Sequence, residues 1–138
     1  MKTAAFLIAA LTAGCAATPP QHLFGTQGIN PDRLAVVVVV SDEVKVLDAD
    51  GKPVPGAGTS DFYLQPGPHK LRLGLHWCPG GQCTTFGSFA EDPRFACIEA
   101  AAATSYRISV SNPGANWVAR VTEQKAGDAA KPVGALCR

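Results

Sequence analysis

Apolar and polar residues alternate with period two along much of the chain after residue 34. The clearest segment is "HKLRLGLHW", in which four apolar residues fall on one face and four polar or small residues fall on the other. The apolar residues are Leu71, Leu73, Leu75 and Trp77, and the polar or small residues are Lys70, Arg72, Gly74 and His76. This alternation is typical of a strand with one buried face. The segments "TSYRISV" and "NWVARVT" repeat the pattern, with Tyr106, Ile108 and Val110 on one face of the first, and Trp117, Ala119 and Val121 on one face of the second.

Five consecutive valines at 36–40 predict a strand that is buried on both faces, or nearly so. Turn residues separate the predicted strands, among them the pair Asp50-Gly51 and the segment "PGPH" after "SDFYLQ". About seven short strands at regular spacing predict an all-β fold, an antiparallel β-sandwich over residues 34–138.

The first residues predict an export signal. Lys2 precedes a ten-residue apolar run, Ala4 to Ala13, which is too short for a transmembrane helix of about 20 residues. The following "LTAGC" resembles the lipobox of bacterial lipoproteins. The resemblance implies cleavage before Cys15 and acylation of its thiol, so that Cys15 anchors the chain in membrane lipid. Residues 1–14 are then the signal peptide, and residues 15–33 a lipidated N-terminus and flexible tether.

The residue after the cysteine refines the predicted location. Lipoproteins that stay at the inner membrane usually carry Asp there, whereas this chain has Ala16. The resemblance therefore implies a lipid-anchored protein of the bacterial envelope, at the outer membrane and facing the periplasm.

Charge and cysteine content agree with export. Twelve basic and eleven acidic residues nearly balance, which excludes the basic excess typical of nucleic-acid binding, and no charge run indicates adsorption to lipid. Of five cysteines, Cys15 takes the lipid and four remain for disulfides: Cys78, Cys83, Cys97 and Cys137. Three pairings are open. The Pro-Gly-Gly turn in "CPGGQC" favours Cys78–Cys83, which leaves Cys97–Cys137.

Two further resemblances concern the domain. "YLQPGPHKLRL", together with the later "YRI" and Trp-containing strands, resembles small envelope lipoproteins and PEGA-type domains, and "DADGKPVPGA" is similar to the turn of transthyretin-like modules. Both imply an immunoglobulin-like or prealbumin-like sandwich. Neither implies a reaction, because one fold can host many functions.

The residues form no recognisable catalytic set, and we expect no enzymatic activity, cofactor or metal. The four domain cysteines could hold zinc, but export favours disulfides. His69 and His76 are an odd number of residues apart and face opposite sides of one strand. Asp48 and Asp50 are similar to the start of a calcium loop, whose required Glu is replaced by Thr59.

The function expected from these patterns is that of a non-enzymatic scaffold or accessory lipoprotein. The alternative is an inhibitor or secretion-machine subunit that docks on another envelope protein. The predicted contacts with that unknown protein are two groups of residues, one in the "PGGQCTTFGSF" segment and one on the outer face of the alternating strand: Gln82, Thr84 and Phe86, and Lys70 and Arg72.

Overall fold

The structure, a computed structural model, describes residues 18–40, 44–56, 60–77, 79–82, 84–86, 94–111, 116–133 and 136–137. The strands in these ranges are β1 (Gln21–His22), β2 (Ala35–Val39), β3 (Val44–Ala49), β4 (Lys52–Pro53), β5 (Phe62–Leu64), β6 (Gly67–Trp77), β7 (Thr84–Phe86), β8 (Arg94–Ala100), β9 (Thr104–Ser111), β10 (Val118–Lys125), β11 (Lys131–Val133) and β12 (Leu136–Cys137). Two short 3-10 helices lie at Pro31–Arg33 and Pro79–Gly81.

The strands form two sheets, and the predicted all-β sandwich is confirmed. Sheet I has the strand order β1-β5-β2-β9-β10-β11; sheet II has the order β12-β8-β6-β3-β4, and β7 also pairs with β6. The seven strands expected from the sequence correspond to β2, β3, β5, β6, β8, β9 and β10, and the remaining strands have only two or three residues. The finer assignment to an immunoglobulin-like or prealbumin-like sandwich stays a prediction.

Two strand pairs in sheet I are parallel, within a fold expected to be antiparallel. β1 pairs with β5 in parallel, and β2 pairs with β9 in parallel over Ala35–Val39 and Thr104–Ile108. Every other pairing in the two sheets is antiparallel among the described residues. The parallel pair at the centre of sheet I joins segments that are far apart in the sequence, because all of sheet II except β12 lies between them along the chain.

The core lies between the two sheets and is formed by the alternating apolar residues. Leu71, Leu73 and Leu75 of β6 are fully buried, as are Tyr106 and Ile108 of β9. Burial of one such large apolar side chain stabilises the fold by about 1.5–3 kcal/mol. The inward rows predicted for these strands are therefore confirmed at these five positions, and Val110 is half-buried.

The valine strand β2 is less buried than predicted. Ala35, Val37 and Val39 lie in the core, whereas Val36 and Val38 are only half-buried on the outer face of sheet I. The sequence predicts burial on both faces because five valines give no polar position to mark the outer one. The strand lies at the centre of its sheet, and the cross-strand partners of Val36 on the outer face are Tyr63 and Ser105.

Residues 21–33, which the sequence assigns to a flexible tether, pack against sheet I. β1 adds a strand to its edge, with the Gln21 N–H donating to Asp61 O at 2.8 Å. Phe24 meets Phe62 edge-on at 6.2 Å between ring centroids, and the fully buried Thr26 donates through its hydroxyl to Leu23 O. The folded unit thus begins well before residue 34.

Tyr106 ties the two sheets together at one end of the sandwich. Its hydroxyl donates to Glu99 O at 2.8 Å and accepts from the Ala101 N–H at 3.0 Å. Burial, with a smaller contribution from Glu123 and Glu99, raises the pKa of Tyr106 against the opposing hydrogen bond from Ala101. The phenol therefore stays protonated and keeps both hydrogen bonds.

Candidate functional site

Three of the predicted site residues lie outside the described ranges. They are Cys15, the predicted lipidation site, and Cys78 and Cys83, the predicted short disulfide. The domain cysteines that the structure does describe are Cys97 and Cys137.

Cys97 and Cys137 form a disulfide, with their Cα atoms 5.4 Å apart. Cys97 lies on β8 and Cys137 on β12, and the antiparallel pairing of these strands brings the two residues close together. The bond joins residues 40 apart in the sequence and fastens the last described strand to sheet II. Of the predicted pairings, this one is confirmed.

Lys70 and Arg72, predicted as partner contacts, are both occupied within the chain. The Arg72 Nε donates to the Asp48 carboxylate in an ion pair. The Lys70 ammonium lies 4.2 Å from the centre of the Phe95 ring, in a cation–π contact. The register of β3 shifts between Val46 and Asp48, and that shift sets Asp48 opposite Arg72.

Asp50 and His69 form a second side-chain contact on sheet II. His69 Nδ1 lies 2.7 Å from Asp50 Oδ2, and His69 Nε2 lies 2.8 Å from Gln65 O. Burial acts to raise the pKa of Asp50, but the Lys70 N–H bond and His69 outweigh it and leave that pKa below its usual value. Asp50 also occupies the left-handed region with Gly51, as a tight hairpin turn between β3 and β4 requires.

An open hollow of about 430 Å³ lies beside this pair, lined by Asp50, His69, Lys70, Glu99 and the Cys97 end of the disulfide among others. A histidine that acts as a general base needs a free ring nitrogen facing the substrate. Both nitrogens of His69 instead face oxygen atoms of the chain itself. The contacts of His69 therefore fasten the β3–β4 turn to the start of β6.

The predicted contact segment around Gln82 forms a hairpin on β6. Gln82 is exposed in the connection, and β7 pairs with the end of β6 through Leu75↔Phe86 and Trp77↔Thr84. The side chains of Thr84 and Phe86 lie outside what the structure describes. The segment that the sequence treats as a loop thus includes a short strand with regular pairing.

Trp117, predicted as a core residue, is 1% exposed and lies in the core. The guanidinium of Arg94 is 4.8 Å from its ring centre and also donates to Trp117 O. The indole Nε1 is buried and has no hydrogen-bond partner in the part of the chain that the structure describes. The side chain of Trp77 lies outside that part.

The structure brings together two arginines that no sequence motif marks as site residues. Arg107 on β9 pairs in register with Thr122, and Arg120 on β10 pairs with Ser109, so the two lie diagonally across neighbouring strands. Both are exposed on the outer face of sheet I, and neither makes an ion pair within the described ranges. The available sequence signal was their place on the polar side of each alternating strand.

Over the described residues, no three histidine, cysteine, aspartate or glutamate side chains are grouped as a metal site would require. No helix in those ranges has the length and apolar character needed to span a bilayer. Comparisons of the chain with family models, curated proteins and solved structures find no significant match.

Proposed function

We propose that this chain is a lipid-anchored accessory module of the bacterial cell envelope, without catalytic activity of its own. The observation that carries the proposal is the apolar run that ends in "LTAGC" at Cys15. The Cys97–Cys137 disulfide supports it, because such bonds persist in oxidising compartments and are rare in the cytosol. Two or more acyl chains on Cys15 would hold the sandwich stably at a membrane.

Intact mass spectrometry of the full chain expressed in a Gram-negative host tests the anchor. We expect a species that begins at Cys15 and carries acyl chains, and incorporation of labelled palmitate into the same species. A Cys15→Ala variant is the matched control and should incorporate none. Wild-type protein that keeps residues 1–14 and an unmodified Cys15 in the cytosol would contradict the proposal.

Ala16 supports placement at the outer membrane, facing the periplasm. Fractionation of the two membranes by density tests this placement. We expect wild-type protein in the outer-membrane fraction and an Ala16→Asp variant in the inner-membrane fraction. Equal distribution of both variants would remove the sorting role of this residue while leaving the anchor in place.

The hairpin of β6 and β7 supports a second candidate function, docking on another envelope protein. Gln82 and its neighbouring glycines are exposed, and β7 has only β6 as a partner among the described strands. A strand paired on one side can accept a further strand from another chain. Crosslinking in intact cells should capture a partner with wild-type protein and not with Phe86→Asp, whereas Lys131→Glu, on the far edge of sheet I, should keep it.

A further inference from the structure

The outer face of sheet I carries charge that the protein does not neutralise. Seven of the eight outward positions on β9 and β10 are polar, and the eighth is Val118: Ser105, Arg107, Ser109, Ser111, Val118, Arg120, Thr122 and Gln124. None of these described positions is acidic. The two arginines therefore give this part of the surface a net positive charge.

Arg107 and Arg120 lie close enough to act on one surface together. They occupy diagonal positions across the β9–β10 pair, and diagonal neighbours in antiparallel strands are about 7–8 Å apart. In the sequence they are thirteen residues apart, which is why no charge run reveals them. Strand pairing alone makes them a cluster.

An exposed apolar side chain lies beside the arginines. Val118, two residues before Arg120 on the same side of β10, is 43% exposed, and it is the one large apolar side chain in the described residues that is strongly exposed. A face that combines guanidinium groups with an apolar contact is complementary to the boundary between anionic headgroups and acyl chains.

The course of the N-terminal segment places this face near the anchor. β1 runs parallel to β5, so the chain that leads into Gln21 comes from the end of sheet I where β5 and β10 begin and β2 and β9 end. Val118 and Arg120 lie at that end. Gln21 is six positions after Cys15, and these six Cα-to-Cα steps can span at most about 20 Å.

The short segment between Cys15 and Gln21 limits how far the sandwich can lie from the membrane. β1 and β10 are four strands apart in sheet I, which is about 19 Å at the usual strand spacing. This distance is similar to the greatest length of the segment between Cys15 and Gln21. We propose that the outer face of β9 and β10, through Arg107, Arg120 and Val118, rests on an anionic bilayer surface. This inference rests on the proposed acylation of Cys15, and it names the face of the protein that meets the lipid.

Arginine-selective labelling tests the contact directly. The lipidated full chain is reconstituted in vesicles of phosphatidylcholine alone or with added phosphatidylglycerol, treated with phenylglyoxal, and analysed by peptide mass spectrometry. We expect labelling of Arg107 and Arg120 to slow at least threefold on the anionic vesicles and to recover in high salt. Arg33, an exposed residue in the 3-10 helix at the opposite end of sheet I, is the internal reference and should not change.

A charge variant tests whether the two arginines act together. Arg120→Gln should reduce the protection of Arg107 on anionic vesicles, whereas Lys45→Gln on sheet II removes the same charge and should leave it intact. Equal labelling of Arg107 and Arg120 on both vesicle types would overturn the inference. Protection by soluble polyglutamate but not by vesicles would overturn it as well, and would assign the face to an acidic protein.

The intact mass of the same sample keeps the two proposals apart. Acylated protein with unprotected arginines overturns the membrane-facing surface and leaves the anchor standing. If Arg107 and Arg120 are protected on vesicles in a chain without acyl groups, the result supports the membrane-facing surface and overturns the proposed acylation of Cys15.

Discussion

The outer faces of the two sheets differ in how their charges are used. On sheet II, Arg72 pairs with Asp48, and Lys70 lies over Phe95. On sheet I, Arg107 and Arg120 have no such partner in the described residues. In the sequence, all four residues look alike, because each is a cation on the polar side of an alternating strand. The comparison shows that the side chains on neighbouring strands determine which of these charges remain available to another molecule.

The sheets also differ in how their last strands are held. Sheet II has a covalent bond between β8 and β12. The corresponding edge of sheet I is the short strand β11, which pairs with β10 over Val121, Thr122 and Glu123. We therefore expect loss of the disulfide to lower the stability of the protein more than any substitution of a single side chain described below.

Loss of the Cys97–Cys137 disulfide should have the largest effect on stability. Because the bond joins residues 40 apart, a Cys97→Ala/Cys137→Ala variant should lose about 4 kcal/mol through the greater entropy of its unfolded chain. Urea unfolding measures this loss. Cys78→Ala/Cys83→Ala, which removes the much shorter predicted loop, should lose about half as much, and equal losses would contradict the loop-length argument.

Tyr106→Phe tests the link between the sheets. The variant removes a hydroxyl that donates to Glu99 O and leaves the Ala101 N–H without its acceptor. We expect a loss of about 2 kcal/mol, because an unsatisfied buried group costs about 1–3 kcal/mol. Thermal unfolding measures it, with Tyr63→Phe on the outer face of sheet I as the control. A Tyr106→Phe midpoint equal to that of wild type would show that the hydroxyl contacts are not maintained in solution.

Arg72→Gln and Arg107→Gln make the same chemical change on opposite faces. Arg72 is partly buried beside Asp48, whose side chain is only 13% exposed, so its loss should cost about 1 kcal/mol. Arg107 is exposed and has no ion-pair partner in the described residues, so its loss should cost less than about 0.5 kcal/mol. Equilibrium unfolding in urea compares them. A larger loss for Arg107→Gln would reverse the proposed distinction between the sheets.

The smallest effect concerns Asp50 at acid pH. Its pKa is lower in the folded protein than the usual 3.8, so its contribution is fully present above about pH 4 and is lost as the pH falls through the folded-state pKa. Asp50→Asn keeps a residue that tolerates the left-handed turn. The stability difference between wild type and variant should therefore shrink between pH 5 and pH 2 in a urea series. A constant difference would exclude the carboxylate as its source.

The sequence predicts individual strands well because alternation is a local property. Leu71, Leu73 and Leu75 mark the inner face of β6, and Asp50-Gly51 marks the turn after β3, without any knowledge of the neighbouring strands. Both predictions are confirmed. The Cys97–Cys137 pairing could also be reached from the sequence, because few pairings were open.

What the sequence does not predict depends on strand register. Arg107 meets Arg120 only through the β9–β10 pairing, and Asp48 meets Arg72 only through the register shift in β3. The addition of β1 to sheet I is likewise invisible in "PPQHLFG", where prolines and a glycine indicate an irregular segment. The candidate surface was therefore harder to predict than the strands that form it.

The parallel pairing of β2 with β9 has a consequence for how the chain must assemble. Val36 and Val37 pair on one edge with Tyr63 and Phe62 of the nearby β5. On the other edge their partners are Ser105 and Tyr106 of β9, so in a chain that emerges from its N-terminus this edge stays unpaired until most of sheet II has followed. Long-range pairing of this kind is intrinsically slow and exposes the early strand to aggregation. During synthesis, the open edge of the valine strand is thus a place where we expect a chaperone to bind until β9 has followed.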